Sequence, residues 1–239
     1  MSRTKKIILL TLGVIAGLGL VFGLLVYFQS QGLIKIFPTA RDREIKQILK
    51  IDRTKFKPAE GLPPEKFEEA IKKLSELRQK VLDNREDAKA WFDFGYAKEF
   101  LNDHEGATRA WEKSFALQPL NFMTAGNLAN VYQYFLKDYP KAEFYYLKAL
   151  EVKPDYTSAY QGLSDLYRFN WQEEEDKVEP LLQEALEKDP ANQQAYYSIL
   201  VEFFARKNDF AKAKEYLAKL RQIKPEAANQ LVESYPGLR

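Results

Sequence analysis

From about Ala88 onward, apolar and small residues along the chain fall in a phase that returns. Counting back from Pro119, Pro154, Pro190 and Pro225, position −12 holds Ala107, Ala142, Val178 and Ala213. Position −8 holds Trp111, Tyr146, Leu182 and Leu217, and position −5 holds Ser114, Ala149, Ala185 and Leu220. Steps of four and three place these residues on one face of a helix, with polar residues on the other. The proline ends each helix, because its ring cannot continue the hydrogen-bond ladder. A second helical pattern lies between the prolines: Trp91, Ala125, Tyr160 and Tyr196, with Phe94, Leu128, Leu163 and Ile199 three residues on, followed by Gly95, Ala129, Ser164 and Leu200. The predicted unit is helix, turn, helix, proline turn. The prolines recur at intervals of 35, 36 and 35 residues, and a near-constant period of this length marks a repeat array. From Lys98, Tyr132, Tyr167 and Phe203 to the −12 residue the separation is 9, 10, 11 and 10 residues. Length varies only in the turn within a unit, and the joints between units keep theirs, as stacked neighbours require.

The first unit, AKAWFDFGYAKEFLNDHEGATRAWEKSFALQPLN, places Trp91, Gly95, Ala107 and Pro119 in a W…G…A…P pattern. In this the chain resembles the tetratricopeptide repeat family, over about Ala88 to Pro225. The departures are Lys98 where a large residue is expected, Val178 in place of alanine, and longer inner turns; the stretch from Trp171 to Lys177 has no predicted conformation. FEEAIKKLSELRQKVL, from Phe67, reads as the second helix of a preceding half unit, and PEAANQLVESY, from Pro225, as a short closing helix. The expected fold class is all-α: a right-handed α-solenoid of about four helix pairs plus flanking helices, preceded by one transmembrane helix. The expected organisation is a cytoplasmic tail and membrane helix at 1–32, a basic connector at 33–63, and a repeat domain at 64–239. Within the last, the half unit is 64–87, the repeats are 88–121, 122–156, 157–192 and 193–227, and the closing helix is 228–239.

The membrane helix rests on IILLTLGVIAGLGLVFGLLVYF, Ile7 to Phe28, which is 22 residues without a charge. As a helix it would be about 33 Å long, enough for a bilayer core of roughly 30 Å. Tyr27 and Phe28 would lie at the interface, where aromatic rings are favoured. A cleaved signal peptide, leaving a secreted repeat protein, is the alternative, with Arg3, Lys5 and Lys6 as its charged region. The apolar run is longer than a usual signal core and no A-x-A follows it. The expectation is a single-pass anchor in a bacterial inner membrane, with the repeat domain extracytoplasmic. Gly13, Gly17, Gly19 and Gly23 form two small-xxx-small pairs, through which two such helices would pack as a homodimer. Residues 35–57 then carry eight basic and three acidic residues, suited to anionic headgroups or to water. Pro58, Gly61, Pro63 and Pro64 break the chain after them.

Composition narrows the chemistry. Hydrophobic residues make up 46% and aromatics 14%, enough to fill a core, and the net charge of +2 argues against a nucleic-acid partner. The absence of cysteine excludes disulfides and thiol chemistry. The one histidine, His104, lies in the polar stretch NDHEG and reads as a surface turn residue, and Glu173-Glu174-Glu175-Asp176 reads as a solvated loop. No glycine-rich phosphate loop is present. Neither a cofactor nor an enzymatic activity is expected.

The resemblance implies that the first helix of each unit lines a concave, partner-binding surface. The positions are Phe92, Tyr96 and Phe100 in the first unit, and Asn127, Asn130, Gln133 and Tyr134 in the second. The third supplies Asp165, Arg168 and Phe169, and the fourth Tyr197, Val201 and Phe204. The family's two-carboxylate clamp is not reproduced: Phe92, Tyr96, Ser158 and Gly162 replace its residues, and only Asn127 matches. Rings with amides between them suit an extended peptide or an amphipathic helix. Glu112 is expected to point away from this face. The expected function is a membrane-anchored scaffold or adaptor for a protein or peptide partner, serving secretion, folding or complex assembly; the alternative is a structural self-assembling membrane protein.

Overall fold

The computed structural model describes residues 19–31 and 38–239. The chain divides between Ile51 and Asp52 into two units. In the first, helix α1 is described over residues 19–30 and α2 spans Ala40–Ile48. Helix α2 opens with a reciprocal cap: the Asp42 N–H donates to the Thr39 hydroxyl and the Thr39 N–H to the Asp42 carboxylate. Among the described residues no helix is long and apolar enough to cross a membrane. Of the expected span Ile7 to Phe28, residues 7–18 lie outside the described residues, Gly13 and Gly17 among them. On α1, Gly19 and Gly23 are exposed, as are Leu20, Val21, Phe22, Leu24, Val26, Tyr27 and Phe28.

The second unit is built from α3 (Pro64–Asp83), α4 (Ala88–Phe100), α5 (His104–Leu117), α6 (Phe122–Val131), α7 (Tyr139–Val152), α8 (Thr157–Asp165), α9 (Val178–Lys188), α10 (Gln193–Arg206), α11 (Phe210–Ile223) and α12 (Pro225–Ser234). Each helix packs on the next, so that α4–α5, α6–α7, α8–α9 and α10–α11 form four stacked pairs of an all-α solenoid. The residues at −12, −8 and −5 are all buried, and they form the seam of each pair. The closeness of that seam explains its composition. A Cβ on Gly95 would lie 2.6 Å from the Trp111 ring, nearer than real carbon contacts allow. The Trp111 indole N–H donates to the Phe92 carbonyl at 3.1 Å and the Ser114 hydroxyl to the Ala88 carbonyl at 2.8 Å. The first pair is therefore fastened by hydrogen bonds as well as by burial, which contributes about 1.5–3 kcal/mol for a large apolar side chain.

Three inner turns share one construction. Asn102, Lys137 and Asn208 take left-handed conformations, with φ of 59°, 57° and 59°. Each is followed by an aspartate whose carboxylate accepts a helix N–H: Asp103 from Gly106, Asp138 from Lys141, Asp209 from Lys212. The left-handed residue costs roughly 1–2 kcal/mol, least for asparagine, and the cap returns about 1. The third unit departs: Gln172–Lys177 forms a 3-10 segment and α9 starts with no side-chain cap. Units two and three also widen into π-helical turns, Tyr132–Leu136 and Leu166–Asn170, which take up inserted residues. In the fourth unit Leu200 replaces the small residue; it is buried, while Ile199 is only half-buried. Helix α12 packs on α10 and α11 at this end.

Candidate functional site: the exposed face of the first helices

Phe100, Tyr134 and Phe169 hold the same position in three successive units, and each ring is about half open to solvent, at 50%, 42% and 48% exposure. Phe100 ends α4; the other two stand in the π-helical turns. Tyr96, one turn before Phe100, is 61% exposed. Asn127 is half-buried and Asn130 exposed, with the Asn130 amide oxygen accepting from the Tyr146 hydroxyl at 2.8 Å. Around Phe169 stand two guanidinium groups, of Arg168 at 4.6 Å and Arg206 at 5.5 Å from the ring centre, a cation–π arrangement. Arg206 also donates to the Tyr235 hydroxyl at 3.2 Å.

The charges on this face are matched. Arg168 pairs with Glu202 at 3.2 Å and with Asp165 at 3.9 Å. Burial pulls its guanidinium pKa down and the two carboxylates oppose the shift. Burial likewise pushes the Asp165 carboxyl up, against Arg168. Burial, then the Asp165 charge, raises the Tyr134 phenol, which stays neutral and able to donate. The arrangement offers apolar rings, amides and the phenols of Tyr96 and Tyr134 to a ligand, with little net charge. Among the described residues no group of three or more histidines, aspartates, glutamates or cysteines is placed to hold a metal.

Several expected residues are turned elsewhere. Gln133 is buried: its amide meets the Tyr146 hydroxyl and the Asn170 amide, each at 2.7 Å. It lies in the π-helical turn that begins at Tyr132. Val201 and Phe204 are also buried. The Phe204 ring stacks on Tyr216 of α11 at 5.8 Å, and both residues belong to the core. With bulky Leu200 in the small position, the inward face of α10 runs through Tyr196, Leu200 and Phe204. Phe92 and Tyr197 are half-buried, against Trp111 and Tyr216. The Arg168 side chain, though on this face, is almost wholly enclosed by its ion pairs.

Other residues do work that the sequence pattern does not reveal. Glu112, on a second helix, accepts from the Tyr132 hydroxyl at 2.6 Å, and Glu143 does the same for Tyr167 at 2.6 Å. Burial, reinforced by these carboxylates, raises both phenols. Lys98 holds the equivalent place in the first unit and meets Asp103 at 2.6 Å in the interior. The same position thus carries a buried polar tip with a carboxylate partner in three units. His104 is not a surface turn residue: it starts α5, its ring stacks on Phe135 at 3.6 Å, and Nδ1 lies 2.9 Å from Glu99.

Comparison with known proteins bears on the fold. Residues 125–156 match the family model described as tetratricopeptide repeat. A solved structure titled "MamA RS-1 ArsTM double mutant" is similar with a TM-score of 0.54 and 22% identity, over 69% of this chain and 86% of that one. The structure of YrrB, titled "a TPR protein with an unusual peptide-binding site", gives a TM-score of 0.50 and 20% identity, over 68% of this chain and 84% of that one. No curated protein matches the chain. Residues 125–156 thus match a tetratricopeptide repeat, and the two structures share the helical solenoid fold.

Proposed function

We propose that this chain is a non-enzymatic scaffold that holds a segment of a partner protein on the exposed face of its first helices, and that residues 7–28 anchor it in a membrane. The observation that carries the binding reading is the ladder of Phe100, Tyr134 and Phe169, three half-exposed rings at one repeat position. Unneeded by the core, such rings are the usual energetic anchors of an interface, and Asn127 and Asn130 stand near them to bond a ligand backbone. The similarity to a repeat protein with a peptide-binding site supports the same reading. The anchor is supported by the uncharged run Ile7 to Phe28 and by the exposed apolar side chains of α1, a surface that water disfavours and lipid accepts. On this reading the repeats lie on the extracytoplasmic face of a bacterial inner membrane, a reading supported by basic residues before the run and none just after it, and the glycines of the span would let two copies pack closely.

The test is a titration of a partner captured from native membranes. Tyr134→Ala and Phe169→Ala should each weaken binding by about 1–2 kcal/mol. Phe144→Ala, exposed on α7, should leave it unchanged. Loss at Phe144 alone would move the site to the second helices.

A further inference from the structure

Within the unit Asp52–Arg239, helix α3 is a second helix without a first. Its cap residue Asn84 stands four residues before α4, as Gln118 stands four before α6, Lys153 four before α8 and Asp189 four before α10. On that alignment Lys73, Leu77 and Lys80 occupy the −12, −8 and −5 positions, the seam that every other pair buries against its own first helix. Within the unit Asp52–Arg239 only a 3-10 turn, Arg53–Lys55, and irregular chain precede α3. On α3, Lys73 and Lys80 of that seam are exposed, and Leu77 between them is buried. Together with Asp93, Tyr96 and Phe100 of α4 it lines a groove of about 330 Å³.

The residues in that groove describe what fits it. Leu77 is its floor and the exposed rings of Tyr96 and Phe100 are its wall. Lysine has replaced the small residue at −12 and −5, so an incoming segment cannot approach α3 as closely as the chain's own first helices approach theirs. Lys80 has no ion pair among the described residues, and Lys73 has only a long, exposed contact with Glu76 at 3.6 Å. The one acid of the groove, Asp93, is already paired with Lys89 at 2.7 Å. The groove is therefore apolar at its centre and positive along one edge, with the two lysines seven residues, or about 10.5 Å of helical rise, apart along the axis.

We propose that the groove between α3 and α4 docks an acidic amphipathic helix of a partner protein, whose apolar side lies on Leu77, Tyr96 and Phe100 and whose carboxylates pair with Lys73 and Lys80. The proposal rests on the reading of the chain as a protein-binding scaffold, and adds a site at the end of the solenoid that shares Phe100 with the ladder but does not use the rings of Tyr134 and Phe169. Charge here selects the partner, since rim ion pairs govern specificity and association rate more than raw affinity.

The test uses the full chain in detergent and a labelled helical peptide of about fifteen residues, with one apolar stripe and two glutamates seven positions apart, against the same peptide with lysines there. The glutamate peptide should bind about tenfold tighter, and the Lys73→Glu/Lys80→Glu double variant should reverse that preference. Both lysines are exposed, so the variant should fold as the parent does, which circular dichroism checks. Tyr134→Ala and Phe169→Ala should leave peptide binding unchanged while weakening the partner of the ladder; this separates failure of the end site from failure of the ladder. Equal binding of the two peptides, indifference to the double variant, or displacement of the peptide by a second copy of the chain or by anionic vesicles would overturn the proposal.

Discussion

Asp189 fastens the third unit to the fourth, and its removal should be costly in a predictable way. The residue caps the end of α9 and is buried. Its carboxylate accepts from the Thr157 hydroxyl at 2.7 Å, from the Asn192 amide at 3.0 Å, and from the Tyr196 hydroxyl. Asp189→Ala takes the acceptor from all three donors. Thr157 and Asn192 are half-buried and regain water, but Tyr196 is fully buried and does not. A hydrogen bond to a charged group contributes about 1.5–3 kcal/mol and a stranded buried donor costs about 1–3, so the combined loss should be about 3–4 kcal/mol. Burial alone would push the Asp189 carboxyl up, but the bonds from Tyr196, Thr157 and Asn192 outweigh it and hold the pKa below the usual aspartate range. A depressed folded-state pKa stabilises fully above the unfolded value, near pH 4, and that stabilisation is lost as pH falls through the lower folded value. The gap between parent and Asp189→Ala should therefore be flat from about pH 5 to 8 and should close below about pH 4. Urea unfolding of the solubilised chain, followed by helical circular dichroism, measures both quantities. A loss under about 0.5 kcal/mol at neutral pH, or a gap that widens in acid, would refute the reasoning.

Trp91→Ala should cost about 3–5 kcal/mol in the same assay, because the ring is buried and its N–H donates to the Arg85 carbonyl at 2.8 Å; an unchanged midpoint would mean that the first pair does not depend on this seam. Alkaline carbonate washing should leave the chain in the membrane pellet, and release of the intact chain into the supernatant would remove the anchor from the account.

How far the fold could be read from the sequence depended on whether each contact repeats. The seam at −12, −8 and −5 was legible because stacking enforces one composition four times, and a single misplaced residue does not hide it. The fourth unit misled because Ile199 and Leu200 are both apolar: the pattern is equally satisfied with the helix turned by one residue, and only the bulk of Leu200 hints that Val201 and Phe204 go inward. Gln133 lies just past the start of a π-helical turn, and an inserted residue of that kind leaves no mark in a helical spacing. His104 sits among polar neighbours, and its stacking partner Phe135 is remote in sequence. Glu112 and Glu143 face outward on their own helices, and only tertiary packing brings tyrosines to them. Of the candidate site, the open rings Tyr96, Phe100, Tyr134 and Phe169 follow from repeat position alone. The exposed seam positions of α3 were present in the sequence as Lys73 and Lys80, but they become visible only once the end of α3 is aligned with the ends of the other second helices.

The claim that the first-helix face takes the partner is tested most directly by position-specific photo-crosslinking of the full chain in its native membrane. A benzophenone amino acid in place of Tyr134 should give a discrete protein adduct, and the same probe in place of Phe144, equally exposed but on a second helix, should give none. Adducts from Phe144 with none from Tyr134 would contradict the account.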